Sequence, residues 1–329
     1  MSVPGASFPA PVIRNAFDAA RSAPPPVTVL LAVYNGDRFL QAQLDSLLAQ
    51  THAEWRLLWR DDGSSDGSTG IMESFAANQP AGRVRQLQDG RGHLGSAGSF
   101  AALLKAAPPG DAIAFCDQDD IWLPEKLARG LHAVQAEPGP AMHCARQRIV
   151  DADLQPLGLS PPAHRRLGLR NALVQNMATG CTTILNAEAA RRLAALAAPP
   201  GVVFDWWCYA ALAALGARIS YGAEPTLLYR QHGGNQVGAS ASHLVRLRHA
   251  FTAKPGAFLI RAAALWRGLA AQAASFDTEA RRLALAAAEL PGLPGPRRLL
   301  AARRLGLHRQ TVAEDLALAL ILLGACDRA

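Results

Sequence analysis

The sequence predicts an α/β fold, a doubly wound and mostly parallel sheet with a C-terminal helical extension, and three observations carry that reading. Short apolar runs alternate with stretches of helical spacing as far as Cys116. Clusters rich in Asp, Gly and Asn fall just after three of those runs, where open α/β sheets place their ligands. Beyond Ser240 the composition turns to Ala, Leu and Arg punctuated by Pro255, Pro291, Pro294 and Pro296, the pattern of short helices.

In order along the chain, residues 1–26 are rich in Pro, Ala and Ser and end in Pro24-Pro25-Pro26, a leader without regular structure. Val27 to Val33 is an uninterrupted apolar run suited to a buried parallel strand. Asn35-Gly36-Asp37 turns the chain, and Phe39, Leu40, Leu44, Leu47 and Leu48 recur at helical spacing. A strand over 55–59 runs into Asp61-Asp62-Gly63-Ser64-Ser65-Asp66. A helix over 69–77, a strand over 84–87, a helix over 97–107 and a strand over 112–116 follow. The second half is predicted to extend the same sheet, with strands over 142–150, 182–185, 217–221 and 227–229 and helices near 188–196 and 205–215. Three regions result: the leader 1–26, an α/β domain 27–238 and a basic helical region 239–329.

Of the 329 residues, 50% are hydrophobic and 18% charged, too apolar a balance for wholesale disorder and too polar for a polytopic membrane protein. Residues 1–240 hold 20 Lys and Arg against 20 Asp and Glu, whereas 241–329 hold 13 against 6, so the net charge of +7 sits at the C-terminal end. Such asymmetry suggests contact with an anionic surface. Cys116, Cys144, Cys181, Cys208 and Cys326 are odd in number, widely spaced and lack a Cys-x-x-Cys pair. They argue for a reducing compartment and against a disulfide framework or structural zinc. The N-terminus has no basic start followed by an apolar run, and no apolar stretch is long enough to span a bilayer. The expectation is a cytoplasmic protein.

Four segments carry candidate chemistry. Asp117-Gln118-Asp119-Asp120 follows a buried strand, and alternate carboxylates there suit a hard divalent cation such as Mg²⁺ or Mn²⁺; equally, one aspartate caps a helix begun at Pro124 and the others are solvated. Asp61-Asp62-Gly63-Ser64 reads either as a nucleotide contact or as a polar turn. The spacing is not Gly-x-Gly-x-x-Gly and no Walker lysine is present, which disfavours nicotinamide and P-loop sites. Phe204-Asp205-Trp206-Trp207 sets one carboxylate among aromatics, which raises its pKa by desolvation and offers a stacking wall for sugars, unless the tryptophans fill the core. Tyr229-Arg230-Gln231-His232-Gly233 gathers a cation and an imidazole at a strand end, suited to a phosphate or a metal.

Together these motifs resemble a family 2 glycosyltransferase of the GT-A fold, and most closely its bacterial rhamnosyltransferase-type members. The resemblance covers residues 27–238 and rests on Ala32-Val33-Tyr34-Asn35-Gly36, Arg60-Asp61-Asp62-Gly63-Ser64-Ser65-Asp66, Phe115-Cys116-Asp117-Gln118-Asp119-Asp120-Ile121-Trp122, Asp205-Trp206-Trp207 and Arg230-Gln231-His232-Gly233-Gly234-Asn235, in that order. It implies a GT-A mixed sheet and a donor site formed by Ala32, Tyr34, Asn35, Asp61, Asp62, Gly95, Asp117, Gln118 and His232, with Tyr34 and Asp62 cradling a pyrimidine base. It further implies that Asp117 and Asp119 form the Asp-x-Asp pair at the metal and diphosphate, with Asp119 in direct contact and His232 beside it. Asp205 becomes the base that deprotonates the acceptor, and Thr179, Gly180, Trp206 and Trp207 the acceptor side. Similar proteins often carry asparagines near the positions of His93 and Ser99.

The implied reaction is an inverting, Mn²⁺- or Mg²⁺-dependent transfer from a dTDP- or UDP-sugar to a saccharide or lipid-linked saccharide. The region 241–329 either rests on anionic lipid through Arg246, Arg248, Lys254, Arg261 and Arg267 interleaved with Leu244, Phe251, Phe258, Leu259 and Trp266, or packs on the domain or on a dimer partner. No nucleic-acid signature stands out. The rival readings are a sugar nucleotidyltransferase and a non-catalytic lipid- or nucleic-acid-binding module.

Overall fold

A computed structural model of the chain describes residues 26–233 and 255–324. The leader, Leu244, Arg246, Arg248, Phe251, Lys254, Gly234, Asn235 and Cys326 lie outside the described residues. The first half runs β1 (Val27–Val33), α1 (Asp37–Leu48), β2 (Trp55–Asp61), α2 (Ser68–Ala77), β3 (Val84–Gln86), α3 (Gly95–Ala106), β4 (Ala112–Cys116), β5 (Ile121–Trp122) and α4 (Lys126–Gln135). The second half runs β6 (Ala141–Ala145), β7 (Arg148–Val150), β8 (Pro156–Leu159), α5 (Leu169–Ala172), β9 (Ile184–Leu185), α6 (Ala187–Ala194), α7 (Phe204–Ala214), β10 (Arg218–Gly222) and β11 (Leu227–Arg230). The helical extension contributes α8 (Pro255–Ala271), α9 (Thr278–Glu289), α10 (Gly295–Arg304) and α11 (Val312–Leu323).

A seven-stranded sheet has the order β10-β6-β9-β4-β1-β2-β3, parallel except for β9, which runs antiparallel to both neighbours. Its central strand shows why the apolar run is unbroken. Leu30 enters one core while Val27, Val29, Leu31 and Val33 enter the other, so both faces of β1 are covered. Helices α1, α2 and α4 cover the second face, and α3, α6 and α7 the first.

The expectation of one continuous sheet is corrected. β6, β9 and β10 extend it, but β5, β11, β7 and β8 form a second, four-stranded sheet. The strand expected over 142–150 breaks because the Arg146 N–H donates to Gly222 O while the Gln147 N–H turns to Ser160 Oγ, handing the chain from one sheet to the other. The strand expected from Thr182 starts at Ile184, because Thr182 and Thr183 fold onto Thr179 O in a 3₁₀ turn. Helix α4 starts at Lys126 rather than at Pro124, since Trp122 is drawn into β5 opposite Leu227.

The extension is docked on the domain. Leu259, Ala262, Leu265, Trp266 and Leu269 of α8 are buried in the core that also holds Leu173, Trp206 and Tyr209. Leu259 and Trp266 are therefore not free to meet lipid. The Trp266 indole donates to Leu173 O at 2.7 Å, and the Gln272 amide clamps both backbone groups of Ala197, accepting from N at 2.7 Å and donating to O at 2.9 Å. Among the described residues no helix is long and apolar enough to cross a membrane.

Gly268 is where α8 touches the loop before α7: an added Cβ would stand 2.0 Å from Cγ of Pro199, a ring that cannot swing away. Gly268→Ala is therefore expected to destabilise the protein by about 1–3 kcal/mol, the usual cost of overpacking, read as a lower urea midpoint at unchanged slope. An unaltered midpoint would mean that α8 is not seated there.

Candidate active site

Strand register brings three loops to one edge. Val33 lies opposite Asp61 and Leu31 opposite Cys116, so the chain leaves β1, β2 and β4 side by side, at the point where strand order reverses around β1. Tyr34, Asp62 and Asp117 emerge there. The Gln118 amide joins two of these loops, accepting from Tyr34 N and donating to Tyr34 O, both at 2.9 Å. Gly36 has to be glycine, because a Cβ would stand 2.3 Å from the Gln118 amide oxygen.

The wall formed by the end of β2 and the start of α3 is organised by Arg60, a buried guanidinium on β2. It pairs with Asp62 and Asp89, and donates to Ser99 Oγ and to the carbonyls of Arg91 and Gly92. Asp62 also accepts from the Leu94 and Gly95 N–H groups at the start of α3 and from His93 Nδ1. Burial works to raise the Asp62 pKa, but the Leu94 N–H, Arg60 and the other donors carry it below the ordinary value. Burial works to lower Arg60, and the Asp89 and Asp62 partners carry it upward. Above this wall the rings of Tyr34 and His93 meet at 4.8 Å, and Tyr34 is half exposed, leaving a flat apolar surface at the mouth.

The acidic loop after β4 is closed by the second sheet. Asp120 is fully buried; its Oδ1 accepts from the Arg230 N–H, while its Oδ2 has no hydrogen-bond partner. Arg230 donates from Nε to Asp119 O, and His232 from Nε2 to Asp119 Oδ2 at 2.8 Å. Ligand atoms of Asp117, Asp120 and Cys181 lie within 4.8 Å of one another. Beneath them Lys126 is buried, its Nζ 4.4 Å over the Trp122 ring. Burial pushes Asp117 up to about 7, with the charges of Asp119 and Asp205 adding to it, and carries Asp120 well upward. Burial brings Lys126 down to about 8.

This cluster fits a hard divalent cation. It offers crowded carboxylates whose mutual repulsion a cation would relieve, and one buried oxygen without a donor. Burial pushes the Cys181 thiol well upward, so it stays protonated and the available donors are oxygens, suited to Mg²⁺ or Mn²⁺ rather than a soft metal. Asp120 was open to a capping or solvated role by sequence; it does neither, and its backbone partner comes from β11.

Across the cleft, Asp205 sits in the first turn of α7. Asn176 Nδ2 donates to its Oδ1 at 2.8 Å and the Gly180 N–H to its Oδ2 at 3.1 Å. Burial raises it to about 6 against the pull of these neutral donors. The cleft measures about 770 Å³ and brings together Ala32, Tyr34, Asp62, Gly95, Asp117, Gln118, Asp119, Thr179, Gly180 and Asp205.

Five expected residues are not in its wall. Asn35 is turned into the neighbouring loop, its Oδ1 accepting from Ser65 N at 2.8 Å, and Asp61 accepts from the Gly63 and Ser64 N–H groups. Trp206 and Trp207 belong to the core rather than the acceptor surface, because α7 is packed on nearly every side; the Trp206 indole donates to Ala172 O. His232 stands behind Asp119. Sequence reasoning missed Asn176 and Lys126. Lys126 lies six positions after Asp120, and its place beside Glu125 after Pro124 gave no hint of burial.

The family profile described as Glycosyl transferase family 2 matches residues 28–193. A dTDP-rhamnosyl transferase of Shigella flexneri, RfbG, is 26% identical over 229 residues, covering 64% of this chain and 75% of that protein. An uncharacterized glycosyltransferase of Nostoc sp. is 33% identical over 109 residues, 33% of each chain. The Escherichia coli UDP-Glc:alpha-D-GlcNAc-diphosphoundecaprenol beta-1,3-glucosyltransferase WfgD is 37% identical over 101 residues, 31% of this chain and 38% of that one. The chain thus matches about a third of the Nostoc and Escherichia proteins' length. In fold it is similar to S. aureus TarS 1-349, solved with UDP-GlcNAc, at a TM-score of 0.51, 15% identity and 90% coverage of both chains. It is also similar to the mannosyltransferase PcManGT of Pyrobaculum calidifontis, solved with GDP-Man and Mn²⁺, at a TM-score of 0.50, 19% identity and coverage of 90% of this chain and 81% of that one. The mixed sheet with its acidic loop at the strand ends is the GT-A fold, and the chain belongs to glycosyl transferase family 2.

Proposed function

We propose that this chain is an inverting, metal-dependent glycosyltransferase that moves a sugar from a pyrimidine nucleoside diphosphate to a saccharide or lipid-linked saccharide in surface-polysaccharide assembly. The observation that carries the reading is the convergence of Asp205 with Asp117 and Asp119 on one cleft. The relatives named for dTDP-rhamnosyl and UDP-glucosyl transfer support the donor class, and rhamnose is the sugar favoured by the longer match.

In this reading the base lies against Tyr34 and His93, with Asp62 forming the floor through its hold on Leu94 and Gly95. Asp119 and Asp117, with the unpartnered Asp120 Oδ2 close to Asp117, would hold Mn²⁺ or Mg²⁺, which when bound neutralises charge gathering on the diphosphate. His232 orients Asp119 through its 2.8 Å hydrogen bond. Asp205 takes the acceptor proton: its carboxylate is kept partly dry, and a base near 6 is largely ionised at neutral pH yet basic enough to accept. In this reading Asp205 activates the acceptor on the side away from the departing diphosphate, and a single displacement inverts the anomeric centre.

Membrane contact belongs to the same proposal, relocated to α10 and α11. Val312, Leu316, Leu320 and Leu323 form one exposed apolar stripe, 44–67% accessible, on α11. The acids of that helix are engaged elsewhere, Glu314 in a capping box with Thr311 and Asp315 with Arg165. Arg297, Arg303 and Arg304 are exposed on the neighbouring α10, so a basic rim borders the stripe, complementary to anionic lipid.

Asp119→Asn is expected to weaken Mn²⁺-dependent binding of UDP or dTDP at least tenfold by calorimetry; equal binding with and without Mn²⁺ in the unmodified protein would remove the metal from the reading. Asp205→Asn should keep nucleotide binding and lower turnover by about 10²–10⁴. With the unmodified enzyme kcat/KM should fall about tenfold per pH unit below an inflection no higher than about 6, since protonating Asp205 removes the base. Its raised value also means that its share of stability is present in acid and lost as pH rises through 6, so Asp205→Asn should raise Tm more at pH 8 than at pH 4.5. Leu316→Glu with Leu320→Glu should abolish flotation with anionic vesicles; concentration-dependent mass in light scattering with no flotation would assign the stripe to a second copy instead.

A further inference from the structure

We propose that Arg261 is the acceptor-side anion contact of the cleft, receiving a phosphate or diphosphate that the acceptor carries, an assignment that rests on the transferase reading above. Arg261 lies on α8, in the C-terminal extension, yet it lines the cleft, where it is the one lysine or arginine among the described lining residues. Four aspartates line the same cleft, and of these Asp62 is already neutralised by Arg60. An acceptor bearing a diphosphate would enter against this negative field, and a guanidinium on its path offsets the repulsion and supplies bidentate donors.

The placement distinguishes Arg261 from arginines that hold the extension together. Arg281 and Arg298 donate to backbone carbonyls, Arg309 donates to Val174 O, and Arg282 pairs with Glu279. Arg261 is exposed, and no carboxylate among the described residues pairs with it. Its backbone is held rigidly, since Leu259 and Ala262 on either side of it are buried and Trp266 anchors the next turn. It shares the cleft lining with Gly201, Val202 and Val203, the turn that leads into α7 and Asp205, and one turn earlier on α8 the Phe258 ring lies 6.0 Å from the Trp206 ring. That is the acceptor wall, opposite the acidic loop that serves the donor. A cation carried on a rigid backbone, without a carboxylate partner among the described residues and lining the cleft that holds Asp205, therefore serves an anion that arrives with the nucleophile.

The test uses full-length protein preloaded with Mn²⁺ and UDP or dTDP, titrated with two probes that share a sugar, an alkyl-diphospho-GlcNAc and the neutral octyl GlcNAc glycoside. The unmodified protein should bind the diphosphate probe about tenfold more tightly than the neutral one, Arg261→Ala should erase that preference, and Arg261→Lys should keep part of it. Nucleotide affinity should be the same in all three proteins. Equal binding of the two probes by the unmodified protein, or a preference that survives in Arg261→Ala, would overturn the proposal. So would a loss of nucleotide affinity in Arg261→Ala, which would assign the guanidinium to the donor diphosphate. Failure of the unmodified protein to bind any nucleotide is a separate readout and would overturn the transferase reading on which the proposal rests.

Discussion

A single buried guanidinium holds one wall of the cleft in shape. Arg60 joins the end of β2 to the loop over 89–93 and to the start of α3, and Asp62 is the anion that makes its burial tolerable. Removing one partner of such a pair leaves a dry, uncompensated charge and costs about 3–5 kcal/mol, so the two residues are retained or lost together. The loop from Asp89 to Gly95 has little apolar anchorage of its own. Its geometry, and with it the orientation of His93 against Tyr34, is inherited from that ion pair.

The opposite side of the donor half works by the reverse logic. There, like charges are crowded rather than paired. Asp117, Asp119 and Asp120 leave one loop, and the compensating groups come from elsewhere: Arg230 and His232 from the end of β11, Lys126 from the first turn of α4. Burial favours the protonated carboxyls and the neutral amine, so the cluster carries an electrostatic cost that a bound cation would relieve. The arrangement places the density of charge where chemistry needs it and leaves the Asp205 wall nearly free of it.

Much of this was legible in the sequence where local pattern and burial coincide. β1 and β4 are covered on both faces, so their apolar runs marked their limits almost to the residue. The Asp117, Asp119 and Asp205 positions followed from motif order. Legibility failed where partners are distant. β5 is two residues long and exists only because Leu227 and Leu228 pair with it, so nothing near Ile121 announces a strand. The loop roles of Asn35 and Asp61 are hydrogen bonds to the backbone of neighbouring turns, indistinguishable in sequence from ligand contacts. Trp206 and Trp207 beside a carboxylate suggested a sugar platform, but a helix enclosed on most sides buries its aromatics whatever their neighbours.

The second sheet has a consequence for how the protein comes into being. Its edge pairing joins β5 to β11, segments more than a hundred residues apart, and that pairing sets Arg230 and His232 against the acidic loop. During synthesis the early strands β1 to β4 can assemble around local crossovers while the acidic loop is still bare, since closing a long loop is the slow step. A nascent chain therefore passes through a stage with a formed sheet and an unfinished cleft. The groups that close the acidic loop are therefore all present only once the chain has been made past His232.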